Sequence, residues 1–166
     1  MKQIRKNLFE TNSSSTHSLV ITPKKDYEKT FEVPLNSNQE IEVDGWDQYY
    51  DYSAYGFLEK LAYMLSWMYI RDNGNPYWSD KKEFEDFVYP SDYIDTYYSN
   101  DYDLILEVIQ KHYPHVKGYR LKHIDQISWD HQTCPDESDF VIDLYDEEQI
   151  EGYLFNDDAV VRVGRD

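Results

Sequence analysis

The sequence predicts an α+β fold: a single domain with a small, mostly antiparallel sheet formed by both chain ends and three to four helices between. Three observations predict it. The length of 166 residues suits one domain. Apolar residues recur at helical spacing through the middle of the chain, and short β-prone runs bounded by turn residues lie towards both ends. We therefore expect one domain over residues 1–166, with a basic strand-loop-strand unit (1–25) and an acidic helical body (50–158).

Strands are predicted where β-prone residues alternate or form short runs. The segments "KQIRKNLF" and "HSLVIT" flank a hydroxyl-rich loop near the N-terminus. "FEVPL" and "EIEV" form a strand pair joined by the turn "NSNQ", and "DGWDQYYDY" is a polar, aromatic loop. "GYRLKHI" alternates as a strand does, and "AVVRV" follows the turn "NDD" as the last strand.

The clearest helix covers about residues 53–71 and ends at the breaker "DNGNP". Its apolar side chains form one stripe, made of Leu58, Leu61, Ala62, Leu65, Met68 and Tyr69.

Three further helices are predicted. One starts at Ser79 or Asp80 and buries three apolar side chains, another covers residues 101–111, and the last begins after the N-cap Asp146. Gln149, three residues after Asp146, completes a capping box. The apolar side chains of the first of these helices are Phe84, Phe87 and Val88.

The net charge of −17 is unevenly distributed. Residues 1–25 hold five basic groups and one acid, which leaves 11 basic against 32 acidic groups in the rest of the chain. Phosphates would be repelled by most of such a surface, so the acidity argues against nucleic-acid binding and favours a basic protein partner. The alternative is that the charge only keeps the protein dissolved.

The expected location is the cytoplasm. No apolar run approaches the roughly 18–20 residues that a membrane helix needs. The N-terminus does not read as a secretory signal, and the single cysteine, Cys134, cannot form an internal disulfide.

The stretch "FETNSSSTHSLVI" (residues 9–21) carries more hydroxyl and amide groups than a turn requires. Hydroxyls and backbone N–H groups can cradle an anion such as a nucleotide phosphate, and nearby cations would add charge. The predicted ligand-binding residues are Asn12, Ser13, Ser14, Arg5 and Lys6. The alternative is an ordinary polar turn whose hydroxyls bond to neighbouring backbone.

The segment "RKNLFETNSSSTHSLVI" resembles the opening of a group of mostly uncharacterised proteins from phages and mobile elements of Firmicutes. "DHQT" (residues 130–133) and "YLFNDDAVVRVG" near the C-terminus also fit, and the similarity is concentrated in about the first 20 residues. Some proteins of this kind are anti-CRISPR or other counter-defence proteins. The resemblance therefore implies a role in blocking a host nuclease, and it suggests that His17 and His131 belong together.

A histidine pair supports an enzymatic alternative. His17 and His131 could act as acid and base on a ribose 2′-hydroxyl without a metal, with Ser15 and Thr16 orienting the phosphoryl group. "HQT" (residues 131–133) matches half of the paired signature of two-histidine phosphoesterases, whereas the residues after His17 do not match the other half. The alternative enzyme is thus a ribonuclease of another design that acts on guide RNA.

Four groups have spacing that resembles a zinc site: His112 and His115, then His131 and Cys134. Pro114 lies within the first pair, and no glycine shapes a knuckle. Ordinary surface histidines with a small buried cysteine are the favoured interpretation. We therefore expect neither a metal nor a cofactor.

Acids alternate with aromatic residues in "DGWDQYYDYSAY", "YPSDYIDTYYSNDYD" and "CPDESDFVIDLYDEE". Carboxylates on a rigid surface can replace the phosphates of a nucleic acid in a basic groove, and tyrosines can anchor the contact. The predicted partner-binding residues are Asp92, Asp95, Asp101, Asp103, Tyr97 and Tyr98. The alternative is a solvated face with tyrosines packed onto helices.

Three hypotheses follow for the function. The leading one is a counter-defence protein that inhibits a host nucleic-acid-guided nuclease, for example a Cas effector with its guide RNA, by binding through an acidic, tyrosine-rich surface. The second is the ribonuclease-like enzyme, and the third is a nucleotide binder that uses the loop of residues 12–18.

Overall fold

Three helices and six strands make up the part of the chain that the computed structural model describes, namely residues 15–20, 32–46, 52–73, 86–90, 99–127, 142–157 and 159–165. The helices are α1 (Phe57–Asn73), α2 (Ser99–His112) and α3 (Glu147–Phe155). The strands are β1 (Ser15–Val20), β2 (Glu40–Asp44), β3 (Tyr52–Ala54), β4 (Phe87–Tyr89), β5 (Gly118–Lys122) and β6 (Val160–Arg165). The arrangement is a single α+β domain, as predicted.

The strands form two sheets of three. The first has the order β1-β6-β3 and is antiparallel throughout, so it joins the two chain ends as the sequence predicts. The second has the order β2-β5-β4, with β2 parallel and β4 antiparallel to β5. Three of the four strand pairings are thus antiparallel, while the division into two sheets is a feature that the sequence analysis missed.

Helix α1 lies at the centre of the core and contacts both sheets as well as α3. The single predicted stripe is therefore too narrow, because Met64, Trp67 and Ile70 on other faces of α1 are also at most 4% exposed. A helix that is apolar on most faces is expected where packing surrounds it.

Tyrosines contribute more to this core than the composition suggests. Five of the described tyrosines are buried: Tyr63, Tyr89, Tyr102, Tyr119 and Tyr153. The rings of Tyr102, Tyr89 and Tyr119 stack in sequence, with centroids 5.7 and 5.0 Å apart. The Tyr119 hydroxyl donates to the Tyr102 carbonyl and the Tyr153 hydroxyl to the Lys60 carbonyl, which meets the hydrogen-bonding need of these buried groups.

Two helix predictions require correction. Residues 52–54, placed at the start of the first helix and in the loop before it, form strand β3, and α1 begins only at Phe57. Phe87 and Val88, predicted to lie in a helix, belong to β4, where Val88 pairs with Arg120. The run "FVY" is aromatic and β-branched, which favours a strand beside an available partner. The predicted helix start at residues 79–80 and Phe84 lie outside the described residues.

Predictions at the ends of other elements are confirmed. The Asp146 carboxylate caps α3 by accepting from the N–H groups of Glu148 and Gln149, and the Gln149 amide donates back to it at 2.8 Å. The predicted strand "GYRLKHI" is β5 over its first five residues, and "AVVRV" lies largely in β6. The strand pair around "NSNQ" is reduced to one bridge, Leu35 with Ile41. The first predicted strand, "KQIRKNLF", lies outside the described residues.

None of the described helices combines the length and apolar character that crossing a membrane would need.

Candidate functional site

The hydroxyl-rich segment is a strand where the structure describes it. Ser15 and Thr16 lie in β1 and pair with β6, so the predicted loop is wrong at these two residues, whereas the predicted strand "HSLVIT" is confirmed over residues 17–20. A strand does not present the converging N–H groups with which a loop surrounds an anion. The other predicted ligand-binding residues, Asn12, Ser13, Ser14, Arg5 and Lys6, lie outside the described residues.

Two arginines of β6, which were not among the predicted site residues, pair with serines of β1. Arg162 pairs with Ser18 and Arg165 with Ser15 in the antiparallel ladder. Residues 123–161 contain no lysine or arginine, so Arg162 is the first after Lys122, and this isolation was a signal available in the sequence. The two pairs lie on opposite faces of the sheet, because residues 15 and 18 are an odd number of positions apart.

His17 falls on the sheet face that carries the core. It pairs with Val163, and residues 15, 17 and 19 share a face with Val161 and Ala54, both completely buried. Its proposed partner His131 lies outside the described residues. The pairing of the two histidines therefore stays a prediction.

The histidines of the proposed zinc site have other surroundings. The Nε2 atom of His112 lies 2.8 Å from Oε1 of Glu151, and its ring stacks on Phe155 with centroids 3.9 Å apart. His115 is exposed. Within the described ranges, no three His, Cys, Asp or Glu side chains are placed to hold a metal ion, and His131 and Cys134 lie beyond those ranges.

Asp101 is wrongly placed among the partner-binding residues. Its side chain is completely buried, and Oδ2 lies 2.6 Å from Nη1 of Arg71, whose Nε lies 2.7 Å from Oδ1 of Asp72. Burial raises the pKa of Asp101, and the Arg71 guanidinium opposes this. Asp101 thus links the first turn of α2 to the last turn of α1 and is not available at the surface. The other predicted acids and tyrosines before α2, at residues 92, 95, 97 and 98, lie outside the described residues.

Asp103 is exposed and begins a surface that we call the acidic ridge, made of Asp103, Glu107, Lys111, Glu147 and Glu151. The three α2 members are spaced by four residues and share a face, with roughly 6 Å between neighbours along the axis. Lys111 donates to Glu147, which joins the C-terminal end of α2 to the N-terminal end of α3. With four carboxylates and one ammonium, the ridge has a net charge of −3.

Electrostatics connects the members of the ridge. The hydrogen bond to Glu147 raises the pKa of Lys111, and the charges of Glu147, Glu151 and Glu107 raise it further. The side chains of Lys111 and Glu147 are 46% and 49% exposed, so this charge is presented to solvent.

The ridge lies on a surface with few cations. Among the side chains that the structure describes, ten exposed ones are acidic and two are lysines. This excess means that the negative charge of the composition is carried on the outside. The acids are Glu32, Glu42, Asp44, Asp103, Glu107, Asp125, Asp143, Glu147, Glu148 and Asp157, and the lysines are Lys111 and Lys117.

The outer face of the second sheet is charged in a different way. Arg120 on β5 lies 3.5 Å from Glu40, 3.8 Å from Glu42 and 3.5 Å from Asp86, and Lys122 lies 3.6 Å from Glu42. Cations on the central strand thus pair with carboxylates on both sides of it. This face is more nearly balanced than the ridge, so the ridge is the stronger candidate for binding a cationic partner.

A groove of about 610 Å³ begins beside the ridge. Its walls are residues 32–35 and 112–116, and its lining is mostly apolar. Leu35 keeps 38% of its surface exposed there. His112 belongs to the groove and bonds to Glu151 of the ridge, so the two features are continuous.

The fold and this surface define an acidic α+β protein in which four of the ten exposed acids of the described residues lie on α2 and α3. No protein family, curated protein or solved structure matches the sequence. The resemblance to phage and mobile-element proteins therefore stays a prediction.

Proposed function

We propose that this protein is an inhibitor that binds the cationic nucleic-acid-binding surface of another protein through the acidic ridge. The observation that carries the proposal is the clustering of three carboxylates, those of Glu107, Glu147 and Glu151, around Lys111. Asp103 extends this charge two turns further along the same face of α2. Among the side chains that the structure describes, the one exposed lysine outside the ridge is Lys117, so the net charge of −3 is weakly opposed there.

The physical basis is competition for lysines and arginines. A protein that binds nucleic acid neutralises phosphates with such residues, and these contacts dominate its affinity. Carboxylates held on two helices offer those residues an alternative partner without a mobile backbone to be ordered. Because the attraction is electrostatic, binding is fast at low salt and weakens as salt rises.

The proposed target is a host nuclease guided by nucleic acid, such as a Cas effector with its guide RNA, in the bacterial cytoplasm. The resemblance of the N-terminal segment to phage and mobile-element proteins supports this choice. The ridge supports only the chemistry of the target, which is a cationic groove.

The test is a cleavage assay with a guide-loaded Cas nuclease, in which the guide RNA is also run on a denaturing gel. We expect blocked DNA cleavage with intact guide RNA. The double variant Asp103→Lys/Glu107→Lys should lose inhibition, whereas Asp44→Lys/Asp125→Lys, which changes the net charge equally at exposed sites away from the ridge, should retain it. Equal loss in both variants would refute a role for the ridge, and shortened guide RNA would favour the ribonuclease.

A second candidate function is nucleotide binding at the first sheet. The observation that favours it is the pairing of Ser18 with Arg162, since arginine and hydroxyl groups suit a phosphate, whereas Ser15 and Arg165 lie on the opposite face of the sheet. A nucleotide ligand should raise the melting temperature of the wild-type protein. The variant Arg162→Gln should abolish that rise, whereas Arg165→Gln, on the opposite face, should keep it. An unchanged rise in Arg162→Gln would exclude this site.

A further inference from the structure

The groove beside the ridge combines an open apolar surface with rigid walls. Leu35 stands on one wall as one of the few large apolar side chains that remain exposed among the described residues. On the other wall, the segment after α2 is held by hydrogen bonds from the N–H of Tyr113 to the Ile109 carbonyl and from the N–H of Val116 to the Tyr113 carbonyl. The groove is within the size range of ligand sites, roughly 300–1,000 Å³.

His112 joins this groove to the acidic ridge. Its ring stacks on Phe155, which in turn stacks on Phe57 at 5.0 Å, so the wall rests on the aromatic part of the core. Its Nε2 atom bonds to Glu151 at 2.8 Å. A chain that lies along the ridge therefore reaches the groove without crossing another surface.

We propose that the groove binds one apolar side chain, aromatic or large aliphatic, from a cationic segment of the partner protein. The inference rests on the proposed function and specifies the partner: a lysine- and arginine-rich segment with an apolar anchor residue. Charge complementarity favours a cationic segment, because the carboxylate of Glu32 is exposed on one wall of the groove and that of Glu151 in the ridge lies beside the other wall.

The two surfaces have separate roles in this arrangement. The ridge attracts cations over a distance and sets the association rate, and the groove removes an apolar side chain from water and slows dissociation. Hot spots at protein interfaces have this composition, with an anchor in a pocket and charged groups at the rim.

The test uses three short synthetic peptides that carry a fluorescent label. The first is rich in lysine and arginine with one central tryptophan, the second has serine in place of the tryptophan, and the third keeps the tryptophan but has glutamine in place of the cations. Fluorescence anisotropy should show that the wild-type protein binds the first peptide about tenfold tighter than the second, as burial of one large side chain permits. It should bind the third weakly.

Matched variants identify the groove as the cause of the preference. Leu35→Ser should remove the preference for the tryptophan peptide, and Leu35→Met should keep it. The control Tyr55→Ser deletes another exposed large apolar side chain (54% exposed) outside the groove lining, and it should leave the preference unchanged. Leu35 is partly exposed, so these variants should fold, which circular dichroism checks. Equal affinity of the wild-type protein for the first two peptides, or a preference that survives Leu35→Ser, would overturn the inference.

The ridge variant Asp103→Lys/Glu107→Lys separates the inference from the proposed function. It should weaken binding of the first two peptides by the same factor and keep the preference for tryptophan. If this variant binds the peptides as tightly as the wild type and still prefers tryptophan, the result refutes the proposed role of the ridge and supports the proposed role of the groove. A dimer that Leu35→Ser alone converts to monomer, without any peptide preference, would assign the groove to a second copy of the chain and overturn the inference.

Discussion

Replacement of Lys60 by methionine tests how the core accommodates a charge. Lys60 is 1% exposed in the first turn of α1. Its Nζ atom donates to the Asn156 carbonyl, at the C-cap of α3, at 2.9 Å. Burial lowers the pKa of Lys60 from 10.5 to about 8, although the charges of Asp157 and Glu59 act against this. The ammonium thus stabilises the end of α3 and is itself destabilised by its surroundings.

The sign of the pH effect follows from the two pKa values of Lys60. Between about pH 8 and 10.5 the folded protein has released the Lys60 proton while the unfolded chain still binds it, so the free energy of unfolding rises with pH. The complete shift corresponds to roughly 3 kcal/mol, at about 1.4 kcal/mol for each pH unit. Roughly 2 kcal/mol of this appears between about pH 7 and 9.5.

The assay is urea unfolding followed by tryptophan fluorescence across that pH range. The wild-type free energy of unfolding should gain roughly 2 kcal/mol relative to Lys60→Met. Buried tyrosines such as Tyr153, whose pKa is raised by burial, have the opposite effect at higher pH, but they are common to both proteins. The control Lys117→Met removes an exposed lysine, and its free energy of unfolding should depend on pH as that of the wild type does. Parallel curves for wild type and Lys60→Met would refute the reasoning.

Three further predictions concern the buried ion pair, the second sheet and the ridge. Arg71→Met should lower the free energy of unfolding, measured with urea, by about 3–5 kcal/mol because it leaves Asp101 buried without its cation. Arg71→Lys should restore only part of this stability, since lysine lacks the planar guanidinium of arginine. Gly118→Ala should lower the unfolding midpoint strongly because a Cβ there would overlap the Tyr89 carbonyl oxygen, whereas Gly56→Ala meets no neighbour and should be harmless. Inhibition by the wild-type protein should weaken steadily with added salt, and a salt-independent inhibition constant would contradict a ridge-driven contact.

The sequence predicted the helices whose formation depends on residues close together in the chain. The N-cap of α3 depends on Asp146 and Gln149 alone, and α1 and α2 have apolar spacing over more than three turns. Residues 52–54 and 87–89 are only three residues long, and a short apolar run fits either a strand or a helix. Their assignment depends on the strands β6 and β5 that they meet, which are distant in sequence.

The acidic character of the candidate site could be predicted from the sequence, but the place where its carboxylates meet could not. The excess of acid and the four-residue spacing of Asp103 with Glu107 and of Glu147 with Glu151 are visible in the sequence. The contact that joins the two pairs depends on the packing of α2 against α3, which no local pattern specifies. Asp101 could have been excluded earlier, because it shares a helical face with Ile105, which is completely buried.

The buried polar groups of α1 explain why the ridge can present its charge in a fixed geometry. Lys60 binds the C-terminal end of α3, and Arg71 binds the first turn of α2, so one central helix holds both helices of the ridge. Each contact costs desolvation that an apolar pair would avoid, and each is directional in a way that apolar packing is not. An acidic surface on mobile segments would have to be ordered on binding, at an entropic cost that reduces affinity. If the ridge binds as proposed, the position of its carboxylates, set from within the core, should therefore contribute to affinity in addition to their number.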